Sequence, residues 1–356
     1  MLTFCTLFDE NYIDKGLVLY KSLERVSKEF TLYILCMSDR CYEILSDLNF
    51  PYLKTVRLKD FENEDLLKVK HTRSVAEYCW TCSSSLTKYI MEKYDPEYCS
   101  YIDADMRFYS DPQVIIDEMV KRNASVSIVG HRFKKNVAKK RIFKVGKYCV
   151  ECNTFKNDKK GREVLSLWTS QCLNYCSADG DGVHWADQKY MDNWPDDYPF
   201  VIETDNLGAG VAPWNISQYI LVSSNKNAIV LKCKRKNYKL LFYHFAGITY
   251  VDSRNARINV YNQWGVQDEL VSIIYNQYLS EIDYFKRLLN SKYGINNIIK
   301  QHPGLKVENK KNFLDRFKHI ISSIITLDLR RYVKDIPTIL YKKKDLFHIK
   351  MIDCID

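Results

Sequence analysis

Strand-like and helix-like segments alternate through the first half of this chain, and that alternation constrains its fold more than any other feature. Leu2–Phe8 reads as a strand and Tyr12–Arg25 as a helix with Leu17, Tyr20 and Leu23 on one side. Thr31–Met37 follows as a strand, Asp39–Leu48 as a short helix and Leu53–Leu58 as a third strand. Ser74–Tyr94 reads as a long helix, Tyr98–Ile102 as a strand and Asp111–Arg122 as another helix. This order argues for an α/β class with a mixed, mainly parallel central sheet flanked by helices. Ligands of such sheets bind outside the carboxyl ends of the strands. Residues 4–12 and 103–105 both lie at such ends, so they are expected to meet in one cleft.

Beyond residue 123 the pattern is more mixed. Ser125–Gly130 reads as a strand, the basic run Lys134–Lys147 as a mobile loop, and Tyr148–Phe155 as a strand. Gly161–Tyr175 reads as a helix, Ala178–Trp185 as a loop, Asp187–Asp192 as the start of a helix, and Leu240–Phe245 as a strand. No internal repeat is visible.

Charge divides the chain. Of 53 Lys+Arg and 44 Asp+Glu, residues 285–356 hold 16 and 7, which accounts for the whole net charge of +9. Such asymmetry marks a separate functional segment. We expect a catalytic domain over 1–270 and a basic, mostly helical extension over 271–356. Within that extension Phe313, Phe317, Ile320, Ile321, Ile324 and Leu327 follow helical spacing, with Arg330-Arg331 and Lys342-Lys343-Lys344 nearby. The pattern suits either a helix lying on an anionic membrane surface or a helix docked on the catalytic domain. No aromatic-interleaved basic motif points to nucleic acid.

Met1 leads straight into a strand-like run without a basic leader, and no window reaches the roughly 18 apolar residues that span a bilayer. A cytoplasmic location, peripheral at most on the inner membrane face, is the expectation, with reduced thiols. Cys79-x-x-Cys82 and Cys149-x-x-Cys152 have zinc-ligand spacing. The two pairs are too far apart for a zinc ribbon, and buried free thiols account for them better.

Asp103 and Asp105 follow the Tyr98–Ile102 strand, and alternation would point both to one face with Ala104 turned away. Carboxylates that close repel unless a cation lies between them. A hard divalent ion with oxygen ligands, Mg²⁺ or Mn²⁺, is the natural partner, and its open positions take phosphate oxygens. A solvated strand end would carry the same short pattern.

Four ordered islands add to that pair: Leu7-Phe8-Asp9-Glu10-Asn11-Tyr12, Tyr101-Ile102-Asp103-Ala104-Asp105, Ala186-Asp187-Gln188 and His244-Phe245-Ala246-Gly247. On these the chain resembles glycosyltransferases of the GT-A fold, in particular the family 8 group that includes bacterial lipopolysaccharide and capsule hexosyltransferases. The resemblance implies that Thr6, Asp9, Asn11 and Tyr12 hold the nucleotide, with Tyr12 stacking on the base. It implies Asp103, Asp105 and His244 as the metal ligands, the imidazole shifting preference from Mg²⁺ toward Mn²⁺. Asp103 and Gly247 would approach the diphosphate, and Asn153, Asp187 and Gln188 the donor sugar, with Asp187 and Gln188 as the catalytic pair. The loop Asn206–Asn215 would line the acceptor side. The chain departs from the family at Tyr250, where a diphosphate-contacting Lys is expected; Arg254 or Arg257 offers a replacement cation. Ser83-Ser84-Ser85 stands where a sugar-contacting Arg is expected, with Arg73 or Lys88 as candidates instead.

The activity implied is transfer of a hexose from a nucleotide diphosphate sugar, UDP-linked, to a hydroxyl of a glycan or glycolipid in bacterial surface polysaccharide synthesis. Family resemblance implies retention; Asp187 acting as a general base opposite the leaving group would give inversion. A catalytically silent module that binds glycan or membrane is the alternative outside enzymology. A nucleotidyltransferase would need a Gly-rich basic loop where Phe8-Asp9-Glu10-Asn11 stands.

Overall fold

The computed structural model describes residues 1–225, 228–250, 255–260, 265–295 and 346–348. The amphipathic segment expected between Phe313 and Leu327, its basic neighbours and Arg254 lie outside the described residues.

The first half of the chain runs β1 (Leu2–Phe8), α1 (Ile13–Val26), β2 (Phe30–Cys36), α2 (Asp39–Leu48), β3 (Leu53–Arg57), α3 (Leu58–Phe61), α4 (Glu64–Lys70) and α5 (Val75–Tyr94). It continues with β4 (Tyr98–Ile102), β5 (Met106–Phe108), α6 (Gln113–Lys121), β6 (Val126–Gly130), α7 (Lys135–Val145), β7 (Tyr148–Lys156) and α8 (Lys159–Asn174). The rest comprises α9 (Trp194–Asp197), β8 (Val201–Glu203), a meander of β9 (Tyr219–Ser224), β10 (Ile229–Cys233) and β11 (Lys236–Lys239), then β12 (Phe242–His244). The short strands β13 (Thr249–Tyr250) and β14 (Asn255–Arg257), the helix α10 (Asp268–Tyr293) and β15 (Leu346–His348) complete it.

Seven strands form the central sheet in the order β3-β2-β1-β4-β7-β6-β8. All run the same way except β7, which is antiparallel to both β4 and β6. The expected mainly parallel sheet flanked by helices is therefore what the chain folds into. β1 is buried from Thr3 to Phe8 because helices cover both of its faces, which explains its nearly continuous apolar run. Its side chains alternate between two cores. Phe4 and Phe8 pack with α1 and α10, whereas Cys5 and Leu7 pack with α5 and α8 around Phe155 and Trp168.

Local signals set the helix ends. Ser74 and Glu77 form a reciprocal capping box that starts α5, with Ser74 N–H donating to Glu77 Oε2 at 2.8 Å. Helix α10 begins near the expected domain boundary and lays Leu270, Ile274, Leu279, Ile282, Phe285 and Leu289 into the same core as α1. Glu281 ties it to Arg107 of β5 at 3.0 Å and Arg25 of α1 at 2.5 Å.

Two local expectations are overturned and a third is shifted. Residues 135–145, read as a loop because charges interrupt their apolar spacing, form the helix α7, which buries none of its residues. Two carbonyl bonds anchor its end, from Gln188 Nε2 to Val145 O and from Lys189 Nζ to Phe143 O. The helix expected from Asp187 starts two residues later, as a 3₁₀ turn at Lys189–Asn193 that runs directly into α9. Strand β4 also ends at Ile102, so Asp103–Asp105 lie in a turn rather than on alternating strand positions. The described cysteines are unpaired thiols, nearly all buried, as expected.

Candidate functional site

The turn that ends β4 leads at once into β5, and this reversal builds the site. β5 pairs antiparallel with β12 so that Met106 faces His244, and Phe245 N–H donates to Asp105 O at 2.8 Å. A residue far downstream is thereby pinned beside the two aspartates. His244 Nε2 lies 3.2 Å from Asp105 Oδ1 and 3.7 Å from Asp103 Oδ2. One ligand atom from each of Asp103, Asp105 and His244 falls within 4.8 Å of the others. Both carboxylates still look outward, with 30 % of the Asp103 side chain and 19 % of Asp105 exposed.

Behind the imidazole stands Glu151, fully buried on β7. Its Oε2 lies 2.8 Å from His244 Nδ1, and its backbone carbonyl accepts from Asp103 N–H at 3.1 Å. The remaining oxygen, Oε1, has no partner. Carboxylates in this position fix the tautomer and aim the other ring nitrogen of a metal-binding His. Sequence reasoning missed Glu151. The available signal was a carboxylate inside the apolar strand Tyr148–Phe155, where charge is rare unless paired.

Electrostatics match the crowding. Burial pushes the Asp103 carboxyl up to about 7, His244 opposing and Asp105 and Glu151 reinforcing the rise. Burial works against the His244 imidazolium, yet Asp105, Cys149 and Glu151 together hold its pKa well above the ordinary histidine value. Partial burial works against the Asp105 carboxylate as well, yet the adjacent His244 charge keeps it below the usual carboxylate range.

Asp103, Gln188, His244 and Gly247 share one cleft of about 1180 Å³. Gly247 has φ of +76°, and an added Cβ would sit 3.1 Å from Asn259 Nδ2. Pro213 and Trp214 of the Asn206–Asn215 loop line the same cleft. An aromatic ladder runs along its wall, in which His131 stacks on Phe133 at 4.7 Å and meets Trp214 at 5.3 Å. Trp214 in turn meets His244 at 5.4 Å. Lys134, Lys135, Arg141 and Lys234 supply cations.

Other expected residues lie around this cleft without lining it. Asp187 is buried, accepts from Ser83 Oγ at 2.7 Å, and is pushed up to about 7 by burial. Asn153 is fully buried, its Nδ2 3.2 Å from Met191 Sδ and its Oδ1 without a partner. Asp9 spends both oxygens on Asn11, on N–H at 2.9 Å and Nδ2 at 2.8 Å. Tyr12 is exposed with Lys15 Nζ 3.4 Å above its ring, and Thr6 Oγ1 is buried without a partner. Arg73 instead binds the carbonyls of Cys172, Leu173 and Cys176 where α8 ends, and Lys88 faces Glu92 at 3.8 Å. Tyr250 lies under Lys286, whose Nζ is 3.0 Å from the ring centroid.

No family model matches the chain. Two Bacillus subtilis (strain 168) proteins, both described as uncharacterized, are similar along most of it. YfnD is 28 % identical over 280 residues, covering 78 % of this chain and 87 % of its own. YfnF is 32 % identical over 250 residues, covering 68 % of this chain and 80 % of its own. Among solved structures, mouse xyloside xylosyltransferase 1 matches with a TM-score of 0.45 at 11 % identity, covering 69 % of this chain and 98 % of that one. The galactosyltransferase LgtC, in complex with donor and acceptor sugar analogs, matches with a TM-score of 0.45 at 15 % identity. It covers 69 % of this chain and 87 % of that one.

Proposed function

The chain belongs to the family of the Bacillus subtilis protein YfnF, and we propose that it is a metal-dependent glycosyltransferase of the GT-A fold. In this reading it moves a hexose from a UDP-linked donor to a hydroxyl of a glycan or glycolipid during surface polysaccharide synthesis. The observation that carries the reading is the convergence of Asp103, Asp105 and His244 at the carboxyl end of β4. Two carboxylates and one imidazole within 4.8 Å of each other suit a single Mn²⁺ or Mg²⁺, with Glu151 already aiming His244 Nε2 inward. When bound, that ion supplies positive charge against a departing diphosphate.

The chain's own groups cover the remaining needs. Asp103 and the Gly247 backbone would flank the diphosphate, while Thr6, Asp9, Asn11 and Tyr12 would hold the nucleoside. Gln188 reaches the cleft and is assigned to the donor sugar at the reacting carbon, with Asp187 and Asn153 behind it. Asp187 is tied to Ser83 and lies outside the cleft lining, which favours front-face transfer with retention over a general-base role. Peripheral attachment through the basic residues beyond 295 belongs to the same reading. Co-sedimentation with phosphatidylglycerol vesicles tests it, and equal sedimentation of a chain ending at 295 removes it.

A screen of UDP-, GDP- and dTDP-sugars with Mn²⁺ tests the whole reading by slow donor hydrolysis. Release of free sugar from a UDP donor, abolished by EDTA, is the expected result. No hydrolysis of any donor, together with no Mn²⁺-dependent UDP binding, would overturn it.

A further inference from the structure

We infer that the acceptor is an anionic glycan, bearing a phosphate or carboxylate near the hydroxyl that receives the sugar. The inference rests on the transferase reading and extends it to the second substrate. Helix α7 has no part in the core: it buries none of its residues, and Phe143 is 70 % exposed. Its sequence, Lys-Asn-Val-Ala-Lys-Lys-Arg-Ile-Phe-Lys-Val, carries five cations and no acid. A helix so composed is not kept in place by apolar burial. It hangs instead from Gln188, whose Nε2 donates to Val145 O at 2.6 Å. The residue assigned to the donor sugar thus holds the basic helix over the cleft.

The charge count along the cleft points to a substrate rather than to folding. Lys135 and Arg141 of α7 line the cleft, and among the described residues neither is joined to a carboxylate; Lys234, also in the lining, lies in the field of Glu203. Among the described residues of the lining the one carboxylate is Asp103, which the proposed cation would hold. Asp103 and Asp105 together balance a divalent ion, so a donor diphosphate adds two negative charges, which the four cations of the lining outnumber. The nucleoside residues Asp9, Asn11 and Tyr12 are not part of this lining, so the wall lies away from the nucleoside, toward the end of the donor where the acceptor must approach. Phe133 and Trp214 supply flat apolar faces beside the cations, the combination that takes a sugar ring with a charged substituent. Arginine and lysine recognise phosphate and carboxylate alike, so the class of anion is left for measurement.

The test uses the full chain with Mn²⁺ and UDP present, so that the metal site does not itself capture the anion. Trp185 and Trp214 line the cleft and report binding by fluorescence. Three trisaccharides are compared: neutral galactotriose, trigalacturonate and a galactotriose 6-phosphate. At least one anionic sugar should bind about tenfold more tightly than the neutral one, the tighter of the two naming the anion. That preference should fall about fivefold in Lys135→Ala/Arg141→Ala and weaken with added salt. Because α7 buries nothing, the double variant should melt at the parental temperature, which a thermal scan verifies. Equal binding of all three sugars, absence of binding by the anionic ones, or a preference that survives the double variant overturns the inference. Donor hydrolysis without an anion preference defeats this inference alone. An anion preference without hydrolysis of any nucleotide sugar defeats the transferase reading alone.

Discussion

Replacing Glu151 with Gln should weaken Mn²⁺ binding while leaving the fold intact. The two side chains have nearly the same volume, so no cavity term arises at this fully buried position. What changes is the acceptor 2.8 Å from His244 Nδ1. The carboxylate accepts a proton there whichever oxygen is presented, which leaves Nε2 facing Asp103 and Asp105. An amide presenting its NH₂ forces the opposite tautomer and places a proton on Nε2, the nitrogen a cation needs free. An amide presenting its carbonyl keeps the tautomer but loses the negative charge. Loss of such an outer partner typically costs about 10–100-fold in metal affinity, or about 1.4–2.8 kcal/mol. Electron paramagnetic resonance of free Mn²⁺ during titration measures the affinity directly, and far-UV circular dichroism monitors the fold. A folded Glu151→Gln protein with parental Mn²⁺ affinity would refute the reasoning, because His244 would then be aimed by something else.

Other consequences can be checked together. Asp103→Asn and Asp105→Asn should each lower Mn²⁺-stimulated donor hydrolysis at least about a hundredfold, since each removes a charged donor from the cluster; near-parental turnover in either excludes it from the centre. Asp187 has a folded-state pKa raised from 3.8 to about 7, so the folded protein holds this proton more tightly than the unfolded chain. Its contribution is therefore most favourable at low pH and is lost as pH rises through about 7. Asp187→Asn should gain on the parent by about 2–3 kcal/mol between pH 5 and pH 8. Urea melts in EDTA at the two pH values decide it, and a constant difference between the proteins disproves the assignment. Trp168→Phe removes the indole N–H that meets Asp187 O at 2.7 Å and should cost about 1–3 kcal/mol in a thermal melt. Ending the chain after Ser280 deletes Ile282, Phe285 and Leu289 from the core and should abolish cooperative unfolding, which calorimetry would reveal.

The order of strands and helices was legible in the chain because period-2 and period-3.6 apolar patterns are local properties. Leu2–Phe8, Ser74–Tyr94 and Tyr98–Ile102 all carry them clearly. Helix α7 was not legible, since its charges interrupt the apolar spacing and its anchors, Gln188 and Lys189, lie more than 40 residues away. Asp103 and Asp105 stood out by spacing alone, but the reason they converge was misread: a turn, not strand alternation, brings them together. Sequence by itself thus determined the class of sheet, the acidic pair at a strand end and the concentration of positive charge toward the C-terminus. Tertiary structure alone decided that β12 pairs with β5, that Glu151 stands behind His244, and that a basic helix overhangs the cleft. Those facts depend on backbone pairings and side-chain contacts between distant segments. Residue patterns encode neighbours along the chain, whereas a site of this kind is made by neighbours in space.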